Sequence, residues 1–146
     1  MRRLLYIMVA LLAVSITAGC DKDEEATADM RIVGSWHAAI EEFDADVYAL
    51  FSEDGSFDLY QRLGEGRYRS YAGTWQLKGK TLTGIYADAT PWGDSYAVAY
   101  LDDNTMTLTA LTSEEVVTYT REDTPATVIE ESVTSRSEGH AELPIL

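Results

Sequence analysis

The chain has one thiol and two imidazoles, Cys20, His37 and His140. Nucleophilic catalysis needs a thiol or hydroxyl beside a base, so these three residues bound much of the chemistry open to it. His140 falls in a polar C-terminal stretch. His37 follows Trp36 and therefore takes the opposite face of any strand that buries Trp36; it reads as a surface residue. A Ser-His-acid set drawn from distant positions has no local signature here. Metal chemistry fares no better, because the chain has no His-x-x-x-His spacing and no second Cys. Asp44-x-Asp46 and Asp102-Asp103-Asn104 are oxygen-rich, as calcium prefers, but neither has the Gly and distal Glu of a calcium loop. Both read as solvated turns. With 25 acidic residues some carboxylate pair always meets glycosidase spacing, so that pattern carries no information. Gly64-x-Gly66 before Arg67 reads as a hairpin loop and not as a phosphate cradle. No catalytic residue, metal or cofactor is expected, and the chain reads as a non-enzyme.

The aromatic residues say more. There are nine Tyr, three Trp and three Phe, and Trp36, Phe51, Phe57, Tyr71, Trp75, Tyr86, Tyr96 and Tyr100 fall on predicted strands. They either fill a closed sheet or line a cavity with aromatic faces and hydroxyl tips, suited to a flat apolar or sugar-like guest. Trp92 follows Pro91 in a predicted loop, where it is either an exposed contact residue or a cap on the mouth of a barrel. The candidate ligand-binding set is Trp36, Phe51, Phe57, Tyr71, Trp75, Tyr86, Tyr96 and Trp92.

Strands must position these residues. Helical spacing does not persist, whereas period-two alternation and turn residues recur. Eight strands are predicted, at 32–40, 47–52, 57–61, 68–78, 81–87, 95–101, 105–111 and 115–121. Trp36 and Ala38 share one face of the first; Tyr71, Gly73, Trp75 and Leu77 share one face of the fourth; Tyr96, Val98 and Tyr100 share one face of the sixth. Asp54-Gly55, Lys78-Gly79-Lys80 and Asp102-Asp103-Asn104 supply tight turns. Short strands joined by tight turns make an antiparallel up-and-down meander, and closure removes its edges. The expected fold is an all-β, eight-stranded antiparallel barrel at 31–122, followed by a polar tail at 123–146 that either hangs free or docks through Pro144-Ile145-Leu146. Eight strands leave an interior for packed side chains or one small ligand.

Particular stretches carry a family resemblance. Val33-Gly34-Ser35-Trp36 opens the first strand with a Gly-x-Trp pattern. Phe51-Ser52-Glu53-Asp54-Gly55-Ser56-Phe57 forms a hairpin, and Gly73-Thr74-Trp75-Gln76-Leu77-Lys78-Gly79-Lys80-Thr81-Leu82-Thr83 forms the next. Met106-Thr107-Leu108 and Tyr119-Thr120-Arg121 close the set. The whole resembles the lipocalin-like domains of bacterial lipoproteins, which implies a calycin-like barrel, often with an apolar cavity. Eukaryotic lipocalins usually carry disulfides and a long lid loop, and this chain has neither.

The N-terminus resembles a lipoprotein leader. Arg2 and Arg3 precede 14 largely apolar residues at 4–17, too few to span a bilayer, which takes about 20, but fitting for a signal peptide at 1–19. Ile16-Thr17-Ala18-Gly19-Cys20 resembles a lipobox, which implies cleavage before Cys20 and lipidation of its thiol. The acyl chains would hold the protein on the membrane. Residues 20–30, with Asp21-Lys22-Asp23-Glu24-Glu25, form an acidic tether. Such a run resembles surface-sorting signals of some Gram-negative groups, so surface display at the outer membrane is expected; Asp21 directly after Cys20 would favour inner-membrane retention in enteric bacteria.

The net charge is −14, and −16 once residues 1–19 are removed. So acidic a surface excludes nucleic acid as a partner and keeps the protein soluble. The expected function is an envelope lipoprotein whose barrel binds a small apolar or amphipathic ligand. The alternative is a non-catalytic structural or interaction domain at the outer membrane, meeting an envelope protein partner and holding no small molecule.

Overall fold

The computed structural model describes residues 30–134 and 144–146. The expected signal peptide, Cys20, the tether up to residue 29 and His140 lie outside the described residues. The strands are β1 (Gly34–Ile40), β2 (Ala45–Phe51), β3 (Ser56–Leu63), β4 (Arg69–Lys78), β5 (Thr81–Tyr86), β6 (Tyr96–Leu101), β7 (Thr105–Ala110) and β8 (Val116–Arg121). Each lies within two residues of its predicted span. Every consecutive pair is antiparallel, and β1 pairs with β8 through Trp36↔Arg121 and His37↔Thr120, which closes the barrel. Alternation sets the interior: Val47, Ala49 and Phe51 on β2, then Phe57, Leu59 and Gln61 on β3, all point inward and are buried.

One end of the barrel is sealed by its own first turn. Met30–Ile32 forms a 3-10 turn instead of the start of β1, and Ile32 is fully buried beneath the sheet. The Trp36 indole N–H donates to the Ile32 main-chain oxygen at 2.8 Å. The Arg121 guanidinium lies 4.2 Å from the centre of the Trp36 ring and donates to the Val33 main-chain oxygen at 2.9 Å; it also donates to the main-chain oxygen of Arg31. Gly34 is required at this crossing. Its φ is +132°, and a Cβ there would stand 2.1 Å from Arg121 Nη1.

Beyond β1, the structure adds detail in β6 and in the C-terminal stretch. The register shifts between Val98 and Tyr100, so a bulge turns Tyr100 out of the face it was expected to share with Tyr96 and Val98. Tyr100 is 53% exposed and its hydroxyl donates to Asp102 Oδ2 at 2.7 Å. The expected polar tail is partly structured. Helix α1 (Ala126–Glu131) buries Val128, and β9 (Val133–Thr134) pairs in parallel with Arg69 and Ser70 of β4. Finally, Leu146 belongs to the hydrophobic core, with Ile145 packed against it.

Candidate functional site

The expected aromatic set faces the barrel interior, and the interior is full. Trp36, Val47, Leu59, Leu82 and Met106 have no accessible surface, and Phe51 and Phe57 retain 1%. A void of several hundred Å³ would leave accessible area on its walls, so the cavity expected by family resemblance is replaced by packed side chains. Rings pack through the core: Phe51 meets Trp75 edge-on at 5.6 Å, Phe57 meets Tyr86 edge-on at 5.7 Å, and Tyr71 lies tilted to Tyr86 at 6.1 Å. Trp36 sits apart at the end sealed by Arg121. Trp75 donates to the Ser52 main-chain oxygen at 3.1 Å, at that same end.

Trp92 is neither an exposed contact nor a cap. It is 6% exposed and enters the barrel wall. The reason is topological. Strands β5 and β6 pair only at Thr81↔Ala97 and Leu82↔Tyr96, so the sheet splits beyond them. The 87–95 connection folds back along β5, with an Ile85↔Pro91 bridge and the Trp92 N–H on the Gly84 oxygen at 2.9 Å. The indole fills the split, 5.2 Å from Phe57 and 6.1 Å from Tyr96. It fits because Gly84 has no side chain: a Cβ would stand 2.1 Å from Trp92 Cε2. The indole Nε1 is buried with no hydrogen-bond partner among the described residues.

At the end of the barrel remote from Trp36, three inward side chains present polar tips: Gln61 near the end of β3, Tyr86 closing β5, and Tyr96 opening β6. They bond the main chain of 145–146. Tyr86 donates to the Leu146 main-chain oxygen at 2.6 Å, and Tyr96 donates to the Ile145 oxygen at 3.0 Å. The Ile145 N–H donates to Gln61 Oε1 at 2.7 Å. Leu146 is 2% exposed. Burial, then the neighbouring tyrosines and Asp88, raise the Tyr86 hydroxyl far above the ordinary phenol range. Burial, then the Asp94 and Glu115 carboxylates, push Tyr96 up to about 12. Both therefore stay protonated donors at neutral pH. Gln61 is the one buried polar residue among those described. Gln61 was not picked out from the sequence; Leu146 was, within Pro144-Ile145-Leu146, but with no place to dock. The signal for Gln61 was present, because a polar residue continues the inward series Phe57, Leu59.

The titratable groups gather on the outer surface. His37 is on the outer face, as expected, but it is engaged: Nε2 lies 2.6 Å from Asp46 Oδ1 and Nδ1 lies 3.0 Å from Glu122 Oε2. Its ring stacks on Tyr48 at 4.4 Å, and Tyr68 donates to Asp46 Oδ2. Burial raises the Asp46 carboxyl, but the bonds from Tyr68 and His37 and the charges of His37 and Arg62 lower it further than that. This cluster ties β1 and β2 to the end of β8. A groove of about 680 Å³ lies outside the barrel, where Asp58, Tyr60, Ser70 and Ala72 of β3–β4 face Ile129 and Ser132. Burial, then the charge of Asp54, raises the Asp58 carboxyl. Among the described residues no three His, Cys, Asp or Glu side chains form a metal-binding group.

Comparison with known proteins agrees with this geometry. No curated protein sequence matches. An NMR structure of a protein from Bacteroides uniformis is similar, with a TM-score of 0.56 and 14% identity, covering 70% of this chain and 99% of that one. A crystal structure of a lipocalin-like protein from the same species has a TM-score of 0.48 and 18% identity, covering 63% of this chain and 99% of that one. The family model for the lipocalin-like domain matches residues 21–108, more than half of the chain. An eight-stranded meander, closed through β1 and β8, and this match together place the chain in the lipocalin-like domain family.

Proposed function

We propose that this chain is a lipid-anchored protein of the bacterial cell envelope whose barrel holds a small amphipathic molecule at the end where Gln61, Tyr86 and Tyr96 converge. One observation carries the proposal. Three inward polar groups there bond main-chain atoms of 145–146, while Leu146 lies in the apolar core. That arrangement accepts an apolar body with a polar head. The chain's own segment holds the seat, so binding is an exchange. Of the sequence candidates, Tyr71, Tyr86, Tyr96, Trp92 and Phe57 belong to this end and its neighbouring split. Trp36 and Trp75 pack the other end, and Phe51, level with Phe57 across β2 and β3, also meets Trp92 at 6.4 Å. The role is non-catalytic.

A chain shortened after residue 143 tests this. It should bind an environment-sensitive amphipathic fluorophore or laurate with one-to-one stoichiometry, and the intact chain should bind more weakly. A folded, shortened chain that binds neither would sink the proposal. For the anchor, cells fed labelled palmitate should label the protein, and Cys20→Ala should abolish the label. Surface display predicts that protease added to intact cells removes it.

The packed interior favours a second reading, in which the barrel is a scaffold for an envelope protein partner. The outer face of β7–β8 suits a contact, since Thr105, Thr107, Thr109, Val116, Thr118 and Thr120 leave it without charge on a strongly acidic protein. A complex recovered from native membranes and lost on Val116→Lys would support it.

A further inference from the structure

We infer that the guest at the Gln61–Tyr86–Tyr96 end is a short peptide carrying a branched aliphatic side chain, and that Pro144–Leu146 is its tethered counterpart. This rests on the proposal that this end is the binding end. The hydrogen-bond pattern selects the class. Two phenol donors take successive main-chain oxygens, of Ile145 and Leu146, and one amide oxygen takes the Ile145 N–H. A donor followed by two acceptors, read from Ile145 N–H to Leu146 O, is what a peptide backbone presents. A fatty-acid carboxylate presents acceptors only and offers no N–H in place of the one that Ile145 gives Gln61 Oε1. A peptide satisfies all three groups as they stand.

The side-chain seat adds the second criterion. Leu146 is 2% exposed among apolar residues of the core, and Ile145 packs against the same cluster. Main-chain bonds give such a site its affinity and the side-chain seat gives its specificity. The receiving groups, Gln61, Tyr86 and Tyr96, fall inside the stretch matched by the family model, whereas residues 144–146 fall beyond it. The eight barrel strands end at Arg121, so receptor and occupant are separable along the chain. A tethered segment competes at an effective concentration of about a millimolar, so a free peptide of micromolar affinity is masked in the intact chain and must be sought without the segment.

The experiment uses the chain shortened after residue 143, once circular dichroism shows its sheet intact. Acetyl-Pro-Ile-Leu-amide, the same peptide with Gly in place of Leu, and laurate are titrated by calorimetry. The Leu peptide should bind, the Gly peptide at least tenfold more weakly, and Gln61→Leu should weaken the Leu peptide by about the same factor. Laurate binding without peptide binding overturns the peptide class and leaves the binding end standing; no binding of either overturns both. Embedding Pro-Ile-Leu in a nonapeptide separates the sources: retained affinity assigns a segment of a longer polypeptide, and lost affinity a free short peptide. If the shortened chain does not fold, the full chain carrying Leu146→Gly serves instead. Millimolar Leu peptide should then shift the Ile145 amide resonance, and an unmoved resonance overturns the inference.

Discussion

Gly84→Ala is the sharpest test of how Trp92 is held. The backbone of Gly84 lies outside the left-handed region, so Ala costs nothing in φ and the penalty is steric. The new Cβ would stand 2.1 Å from Trp92 Cε2, 2.4 Å from Cζ2 and 2.5 Å from Nε1. Carbon atoms rest near 3.5–4.0 Å, so the indole must retreat by about 1.5 Å. It has nowhere to go without repacking, because Phe57, Tyr96 and Phe51 stand 5.2, 6.1 and 6.4 Å away by ring centres. Overpacking of this kind costs about 1–3 kcal/mol. Full expulsion of the ring sets the ceiling, about 4–6 kcal/mol for 150–250 Å² at 25 cal/mol per Å². The restricted unfolded chain of Ala returns about 0.4–1 kcal/mol. Central values give an expected net loss of about 1–2 kcal/mol on repacking and about 3–5 kcal/mol on full expulsion, read by urea unfolding followed by circular dichroism. Tryptophan emission separates the two routes: repacking leaves it unshifted, expulsion moves it to the red, and Trp92→Phe supplies the reference spectrum. Stability within about 0.5 kcal/mol of the parent, with unchanged emission, would refute the placement of Trp92 over Gly84.

Other perturbations reach other parts of the molecule. His37→Ala removes the contacts to Asp46 and Glu122 that tie β1 and β2 to the end of β8, and should cost about 0.5–1.5 kcal/mol in urea unfolding; a loss above about 3 kcal/mol would mean that the cluster does more than brace the seam. The Asp46 carboxyl is lower in the folded chain than in the unfolded one, so its stabilisation is present above about pH 4 and is lost as pH falls below that. His37→Ala should flatten part of this acid limb, and an unchanged limb would exclude Asp46 as its source. Tyr86 and Tyr119 are raised by burial, so the folded state keeps them neutral while the unfolded chain ionises them near pH 10. Their contribution is intact below pH 10 and should fall by about 3 kcal/mol for the pair by pH 11. Phenolate absorbance at these residues should therefore appear with unfolding and not before it.

The strands were legible because this barrel alternates so regularly. Inward positions on β2, β3, β5 and β7 are apolar almost without exception, and Asp54-Gly55 and Asp102-Asp103-Asn104 mark turns by side-chain chemistry: Asp102 Oδ1 accepts the N–H groups of Asn104 and Thr105 at 2.8 and 2.7 Å. The bulge in β6 was not legible, since Ala97, Val98, Ala99 and Tyr100 give no sign of which residue is skipped. Trp92 was ambiguous for a different reason. Its burial depends on a split between β5 and β6 and on the missing side chain of Gly84, neither of which is local to Pro91-Trp92-Gly93. Composition concealed the 123–146 stretch. Ser, Thr and Glu dominate it, and the buried ones among its described residues, Val128 and Leu146, stand singly, with no period to announce them.

The candidate site was hidden by the same separation in sequence. Eighty-four positions separate Gln61 from Ile145, and 60 separate Tyr86 from Leu146. Nothing local couples them. Yet period two contains one usable contradiction. Reading β3 as Phe57, Leu59, Gln61 on the inner face puts an amide inside an apolar barrel, where an unpaired polar group costs about 1–3 kcal/mol. Such a residue demands partners, and a main-chain N–H is one that an amide oxygen accepts. Asking what satisfies Gln61 leads past the barrel to a main-chain N–H, which is what Ile145 supplies. A polar residue in an inward register is thus a pointer to an occupant, and here it names the chemistry of that occupant before any ligand is known.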